Sequence, residues 1–167
     1  MTSISPSVPI SALFAWRDIE TDRWRDFFGA NPRALDFAAG DGTMDTVRGL
    51  VRHIFAVELR YSQRLLGEPA TDWADFHQHE LSDLFAIGAE ARAKVDRYLA
   101  AADASSLDGT LTFPTLSAGT VTMTRRKLLV QTVTHGVRHW AQVTTLVRLG
   151  GIRASWPHDF LAVDVGI

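Results

Sequence analysis

Two histidines four residues apart, His135 and His139, stand in the middle of a long segment with helical periodicity. At that spacing both imidazoles leave the same face of a helix, roughly 5–6 Å apart at Cβ. The stripe that they share has a leucine at each end and polar side chains between: Leu128, Thr132, His135, His139, Gln142 and Leu146. The charged residues of the segment lie on its other faces: Arg125, Lys127, Arg138 and Arg148. The pattern therefore predicts a helix that carries its two histidines into the core of a helical fold.

An inward histidine pair has two interpretations. The rings can be packed and hydrogen bonded as part of the core, or they can be two ligands of a metal site. A third ligand from another segment would decide for the metal. Because the chain contains no cysteine, that ligand has to be histidine or a carboxylate, and disulfides and a cysteine nucleophile are excluded as well.

The composition narrows the class of protein. The 167 residues predict a single domain, spanning 1–167, with one hydrophobic core. A net charge of -2 and a pI near 6.3 argue against nucleic-acid binding, which needs a clustered basic surface. No window reaches the ~18 uninterrupted apolar residues of a membrane span, and the first residues lack the pattern of a signal peptide. We therefore expect a soluble cytoplasmic protein that acts on small molecules or binds protein partners.

Apolar residues recur at helical spacing in four long segments. The predicted helices run from Pro9 to Gly29, from an N-cap at Thr43 to Leu66, from Leu81 to Ala102, and from an N-cap at Thr124 to Leu149. Between the third and fourth, the β-favouring runs of Leu107–Met123 predict a small hairpin that turns at 116–119. The predicted fold class is all-α, an antiparallel four-helix bundle with a small β-hairpin between helices 3 and 4. The residues after Ile152 are expected to lie back across the helices.

The first predicted helix carries more aromatic side chains than one face of a small bundle requires. They are Phe14, Trp16, Trp24, Phe27 and Phe28. An exposed aromatic cluster would be a partner surface, so one expectation is a homodimer; a thick core is the alternative. Glu20 lies in the same stripe, either as a carboxylate that serves a site or as a side chain that reaches an arginine such as Arg17 or Arg23.

On the second predicted helix, His53 lies at the border between the apolar face and the polar face. It is a candidate third ligand, or simply an amphipathic surface residue. Arg60 and Arg64 follow on the same side of this helix. They could line an anion-binding mouth, or they could be solvated.

The other histidines stand in segments without helical periodicity. His77 and His79 belong to a loop predicted over Ala70–His79, and His158 belongs to the tail. A loop of this type can ligate a metal, but a polar surface loop is the commoner case. We therefore expect none of the three to be a metal ligand.

Three stretches together resemble a known family over nearly the whole chain. They are Val-Arg-Gly-Leu-Val-Arg-His53-Ile-Phe-Ala-Val-Glu, Val-Thr-His135-Gly-Val-Arg-His139-Trp-Ala-Gln142 and the closing Leu-Val-Arg-Leu-Gly-Gly. Their order, with a hairpin before the second, resembles the DinB/YfiT-like metalloprotein superfamily. That resemblance implies a four-helix bundle, often dimeric, with a divalent metal held by three histidines. The matching positions are His53, His135 and His139.

The resemblance also bears on chemistry. A site of three neutral imidazoles suits zinc or nickel and leaves positions open on the ion for water, a thiolate or a carbonyl oxygen. Because relatives include thiol-dependent S-transferases and isomerases, the resemblance implies a metal-dependent transferase that uses a low-molecular-weight thiol on a small electrophile. Arg60 and Arg64 would receive anionic groups of the thiol or substrate. Relatives commonly have Arg-Gly-Gln after the last histidine, whereas this chain has Trp140-Ala141-Gln142, which leaves the pocket shape and the substrate open.

Two other functions remain compatible with the same residues. One is a metal-dependent hydrolase that activates water, with Glu20 as a possible base. The other is a non-catalytic, stress-related protein in which the metal only joins the helices. A fourth protein ligand, such as His77 or Glu20, would favour the last.

Overall fold

The computed structural model describes residues 8–40, 42–77, 80–115 and 118–166. These residues form five α-helices and one two-stranded sheet. The helices are α1 (Ile10–Ala30), α2 (Val47–Leu65), α3 (Leu81–Ala101), α4 (Ala104–Asp108) and α5 (Arg125–Leu149), and the strands are β1 (Thr110–Thr115) and β2 (Gly119–Thr124). The fold is thus mostly helical with a small hairpin between α4 and α5.

The helix α2 is the centre of the molecule. It packs against α3 on one side and α5 on the other, while α1 contacts both α5 and α3. The side chains of α3 that face the other helices are buried, from Leu84 to Tyr98. The side chains between helices form two core clusters, one around Trp24, Phe55 and Trp140 and the other around Phe14 and Leu128.

The hairpin is confirmed, and the short α4 before it was not predicted. Strands β1 and β2 pair antiparallel, from Thr110 opposite Thr124 to Thr115 opposite Gly119. The middle of the predicted turn, residues 116 and 117, lies outside the described residues. Helix α4 begins with a capping box, in which Asp103 and Ser106 bind each other's backbone N–H groups. Thr124 caps α5 as predicted, since its hydroxyl accepts from the Lys127 N–H at 3.2 Å.

The predicted start of the second helix is wrong by one turn. Thr46, and not Thr43, is the N-cap, and its hydroxyl accepts from the Gly49 N–H at 3.2 Å. The preceding residues form a 3-10 turn that folds back so tightly that a Cβ at Gly49 would lie 2.6 Å from the Thr43 carbonyl oxygen. The chain before Thr46 therefore packs closely against Gly49 and does not continue the helix back to Thr43.

The aromatic side chains of α1 are mostly core. Phe14, Trp24, Phe27 and Phe28 are buried, and the ring of Trp24 stacks on that of Trp140 at 5.4 Å. The thick-core alternative is therefore correct, and these rings give no argument for a partner surface.

The tail lies back against α1, as expected. The indole N–H of Trp156 donates to Glu20 Oε2 at 2.9 Å, and Ile152 and Ala154 pack on the first core cluster. In the part of the chain that the structure describes, no helix combines the length and the apolar character needed to cross a membrane.

Candidate metal centre

The two helices that pack side by side, α2 and α5, bring three histidines together. His53 comes from α2, and His135 and His139 come from successive turns of α5. Their ring centroids are 5.1 Å (53 to 135), 5.0 Å (53 to 139) and 4.5 Å (135 to 139) apart. One potential ligand atom from each ring lies within 4.8 Å of the others, and among the described residues no other group of metal-ligating side chains does so. We call this group the histidine trio.

A close approach of the two helices makes this convergence possible. Gly136 of α5 faces Glu58 of α2, and a Cβ at Gly136 would lie only 3.0 Å from Glu58 Oε1. The Glu58 carboxylate is itself fixed by Arg17 of α1, whose Nε donates to Oε1 at 3.3 Å and whose Nη2 donates to Oε2. The buried Arg17–Glu58 ion pair therefore packs against α5 at Gly136, which lies between the two histidines of that helix.

The histidines are held in their neutral form. His135 and His139 are buried and His53 is half-buried. Burial, followed by the positive charge of His139 and Arg138, lowers the pKa of His53 to about 4, and burial with the other histidines lowers the pKa of His135 to about 3. The pKa of His139 is also lowered by burial. Neutral imidazoles keep a nitrogen lone pair available at neutral pH, as metal ligation requires.

The donor set fits a divalent cation. His135 Nδ1 is buried and has no hydrogen-bond partner among the described residues, which is uncommon for a polar atom in a protein interior and calls for an explanation. Three imidazoles without a carboxylate suit borderline ions such as zinc. The trio could therefore hold such an ion, with open positions toward the adjacent cavity.

That cavity has a volume of about 340 Å³ and is rich in arginine. Arg60, Arg64 and Arg138 line it, and none of the described residues that line it is acidic. The guanidinium of Arg60 lies 4.5 Å over the Trp73 ring and donates to the Thr71 carbonyl, and that of Arg64 lies 4.5 Å over the Phe113 ring. Both arginines predicted from the sequence thus share the cavity of the trio, in fixed positions.

Tyr61 also lines this cavity, although the sequence did not single it out as a site residue. Its ring centroid is 6.4 Å from that of His135, and burial raises the pKa of its phenol. The available signal was its position eight residues after His53, which returns to the same side of a helix. Arg138 was missed as well, because only its place beside His139 reveals its role.

Glu20 lies at a different place from the trio. Its carboxylate accepts from the indole N–H groups of Trp24 at 2.8 Å and Trp156 at 2.9 Å, and from His158 Nδ1. It lines a separate cavity of about 220 Å³ against α1 and the tail. It binds neither Arg17 nor Arg23 by a hydrogen bond in the described structure, because Arg17 is paired with Glu58 and Asp18 and Arg23 donates to the Pro157 carbonyl.

The two other described histidines, His77 and His158, are not part of the trio. His77 is exposed, and His158 binds Glu20. His79 lies outside the described residues.

A comparison with protein families gives one match. The model of the DinB family matches residues 15–162, a range that contains the whole trio and the cavity beside it. A search among curated proteins gave no match.

Proposed function

The chain belongs to the DinB family, and on that premise we propose that it is a metal-dependent transferase that joins a low-molecular-weight thiol to a small electrophile. The observation that carries the proposal is the convergence of three neutral histidines beside a cavity with three arginines. In this proposal the four long helices act as a four-helix bundle, the family's framework for inward-facing ligands.

The proposed metal ligands are His53, His135 and His139, and zinc or nickel is the proposed ion. A divalent cation held there would act as a Lewis acid that favours the thiolate form of a bound thiol. The contribution of the chain is to hold three lone pairs in one place and to keep the rings neutral. Because the chain has no cysteine, the sulfur has to come from the co-substrate.

The arginines supply fixed positive charge for that co-substrate. Arg60 and Arg64 are each stacked on an aromatic ring, so little side-chain freedom is left to lose when an anion binds. Arg138 adds a third guanidinium, and in the described part of the chain no acidic residue lines the cavity to oppose them. A thiol that carries carboxylate groups is therefore the proposed ligand class. The raised pKa of Tyr61 keeps its phenol protonated, so that it can donate a hydrogen bond to a bound substrate.

The positions of other groups favour this function over the two alternatives. The base expected for a hydrolase, Glu20, is engaged with two indoles and His158 instead. A purely structural metal would call for a fourth protein ligand, and the described residues bring only three histidines together. Low-molecular-weight thiols are kept reduced in the cytosol, so we place the proposed reaction in the cytoplasm. A homodimer is proposed from the family resemblance alone, and sedimentation at micromolar concentration tests it.

Metal analysis of protein purified without an affinity tag tests the ligand assignment. We expect one divalent ion per chain, and we expect His53→Ala, His135→Ala and His139→Ala each to weaken binding by more than the roughly 10–100-fold typical of losing a residue that only supports a ligand. His77→Ala is the matched control, since this exposed histidine lies outside the trio. Retention of stoichiometric metal by the three variants under chelator competition would contradict the assignment.

A thiol-consumption assay with the metal-loaded protein tests the reaction. Arg60→Gln combined with Arg64→Gln should raise the apparent KM for the thiol and leave the metal content unchanged. Arg25→Gln is the control, because Arg25 pairs with Asp22 on the exposed side of α1. Hydrolysis of esters or amides without thiol would instead support the hydrolase, and no response to metal in either assay would support a structural role for the ion.

A further inference from the structure

The ring of His139 lies in the wall between two cavities. One is the arginine-lined cavity of the trio, and the other is a second cavity with a volume of about 540 Å³. Gln142 lines the second cavity, while Arg138 lines the first. Each ring nitrogen of His139 therefore has a neighbouring side chain that lines a different cavity.

On the side of the second cavity, His139 Nδ1 lies 2.6 Å from Gln142 Oε1. An amide oxygen only accepts hydrogen bonds, so a contact of this length requires the proton on Nδ1. A neutral ring with its proton on Nδ1 carries its lone pair on Nε2.

On the side of the trio, Arg138 Nη2 lies 3.1 Å from His139 Nε2. A guanidinium only donates, so this contact requires the lone pair on Nε2. The two contacts are independent of each other and specify the same tautomer. The second contact also fixes the direction of the Gln142 amide, because a proton on Nδ1 has to meet the oxygen and not the NH₂ group.

We infer that Gln142 is a positioning residue, which holds His139 in the tautomer and ring orientation that present Nε2 to the trio. The inference rests on the proposed metal site; in the described structure Arg138 donates to the same Nε2 lone pair that would hold an ion. Among the described residues His135 Nδ1 has no corresponding hydrogen-bond partner, so the orienting role that we assign to Gln142 applies to His139. Gln142 is itself exposed, and it acts on the proposed site through its contact with His139.

Nitrogen-15 NMR of the metal-free protein at about pH 8, where unperturbed imidazole is neutral, tests the tautomer directly. Wild-type protein should show His139 with its proton on Nδ1. Gln142→Leu should weaken that preference, because Arg138 is then the only one of the two partners left to specify the tautomer, and Gln142→Glu should keep it, because a carboxylate accepts the same hydrogen bond. A mixed tautomer in the wild type, or an unchanged one in Gln142→Leu, would overturn the inference.

Zinc affinity under chelator competition is the second measurement. Gln142→Leu should lower it by about 10–100-fold, the usual effect of removing a partner of a ligating histidine, and Gln142→Glu should restore it. The matched control is Thr145→Val, which removes the hydroxyl of an exposed residue of the same helix that lines the second cavity. Equal losses in both variants would indicate a general effect on α5 and overturn the inference.

The two measurements separate this inference from the proposed function. If the wild type binds no zinc, the metal site is wrong, and the tautomer measurement still decides whether Gln142 orients His139. If zinc binds and no thiol reaction follows, only the proposed reaction is wrong, and the affinities of the Gln142 variants keep their meaning.

Discussion

Each histidine of the trio is held as a neutral ring by its surroundings. Burial is the largest cause, and the other histidines and Arg138 add to it, so the pKa of His53 falls to about 4 and that of His135 to about 3. In an unfolded chain the same rings titrate near 6.5. Protons therefore bind the unfolded chain more readily than the folded one, and acid favours unfolding.

The first prediction is that the metal-free protein loses stability in acid. The contribution of the trio is fully present above about pH 6.5, decreases as the pH falls below that value, and levels off near the folded pKa values of about 4 and 3. Urea unfolding as a function of pH measures it. The variant with His53→Gln and His135→Gln should show a flatter pH dependence over this interval, and an equally steep one would contradict the assignment.

The second prediction concerns the pH dependence of metal affinity. From unperturbed histidines, affinity would fall as soon as the pH drops below about 6.5. Because burial lowers the pKa of all three rings, that of His53 to about 4 and that of His135 to about 3, the loss should begin at a lower pH than it would for unperturbed histidines. Chelator competition between neutral pH and about pH 6 should therefore show little change beyond the titration of the chelator itself. A steep loss already near pH 6 would mean that the rings are less shielded than described.

At the scale of elements, periodicity located the four long helices because each buries an apolar stripe along its own length. The boundary at Thr43 was wrong since it depends on how the turn before α2 folds back over Gly49, which is a contact and not a pattern. The short α4 is too brief for periodicity to detect, although its capping residues Asp103 and Ser106 are visible in the sequence.

The residues of the candidate site also differ in whether a local pattern or only tertiary packing identifies them. His135 and His139 were predicted from local spacing, whereas His53 needed the family resemblance, because only packing of α2 on α5 brings it within reach. The partners of Glu20 come from its own helix and from the tail, more than 130 residues away in sequence. No local pattern relates such positions.

The third prediction tests the packing of α2 on α3. A Cβ at Gly88 would lie 2.5 Å from the ring of Phe55, which is fully buried and cannot yield. Overpacking costs about 1–3 kcal/mol, against up to ~1 kcal/mol gained from the higher helix propensity of alanine. Gly88→Ala should therefore destabilise the protein by about 1–2 kcal/mol. Gly29→Ala is the control, because nothing lies near its Cβ position, and it should be neutral or stabilising in the same urea titration.

At the scale of the whole molecule, one buried charge network joins three helices. Arg17 of α1 binds Glu58 of α2 and Asp18, and Asp18 in turn accepts from Arg92 of α3 at 2.7 Å. Burial alone lowers the pKa of Arg17, but the carboxylates of Glu58 and Asp18 raise it more, so the guanidinium stays charged. Glu58 connects this network to the trio, because its carboxylate lies against Gly136, the residue that follows His135 in α5.

The last prediction separates the strength of this ion pair from its necessity. Glu58→Leu leaves the Arg17 guanidinium, only 6% exposed, without its main partner in the interior, and should cost about 3–5 kcal/mol. Arg17→Met should cost a similar amount, because it leaves the Glu58 carboxylate buried alone. The double variant Arg17→Met with Glu58→Leu removes both charges and fills the space with apolar atoms, so its stability should return close to the wild type or exceed it. Urea unfolding of the four proteins gives the coupling energy directly, and additive losses would show that the two side chains act independently.

The metal affinity of the double variant shows whether the trio needs the Glu58 carboxylate. If α5 only requires that the space between Gly136 and α2 be filled, the trio keeps its affinity. If the carboxylate itself sets the position of α5 at Gly136, the affinity falls although the stability is regained.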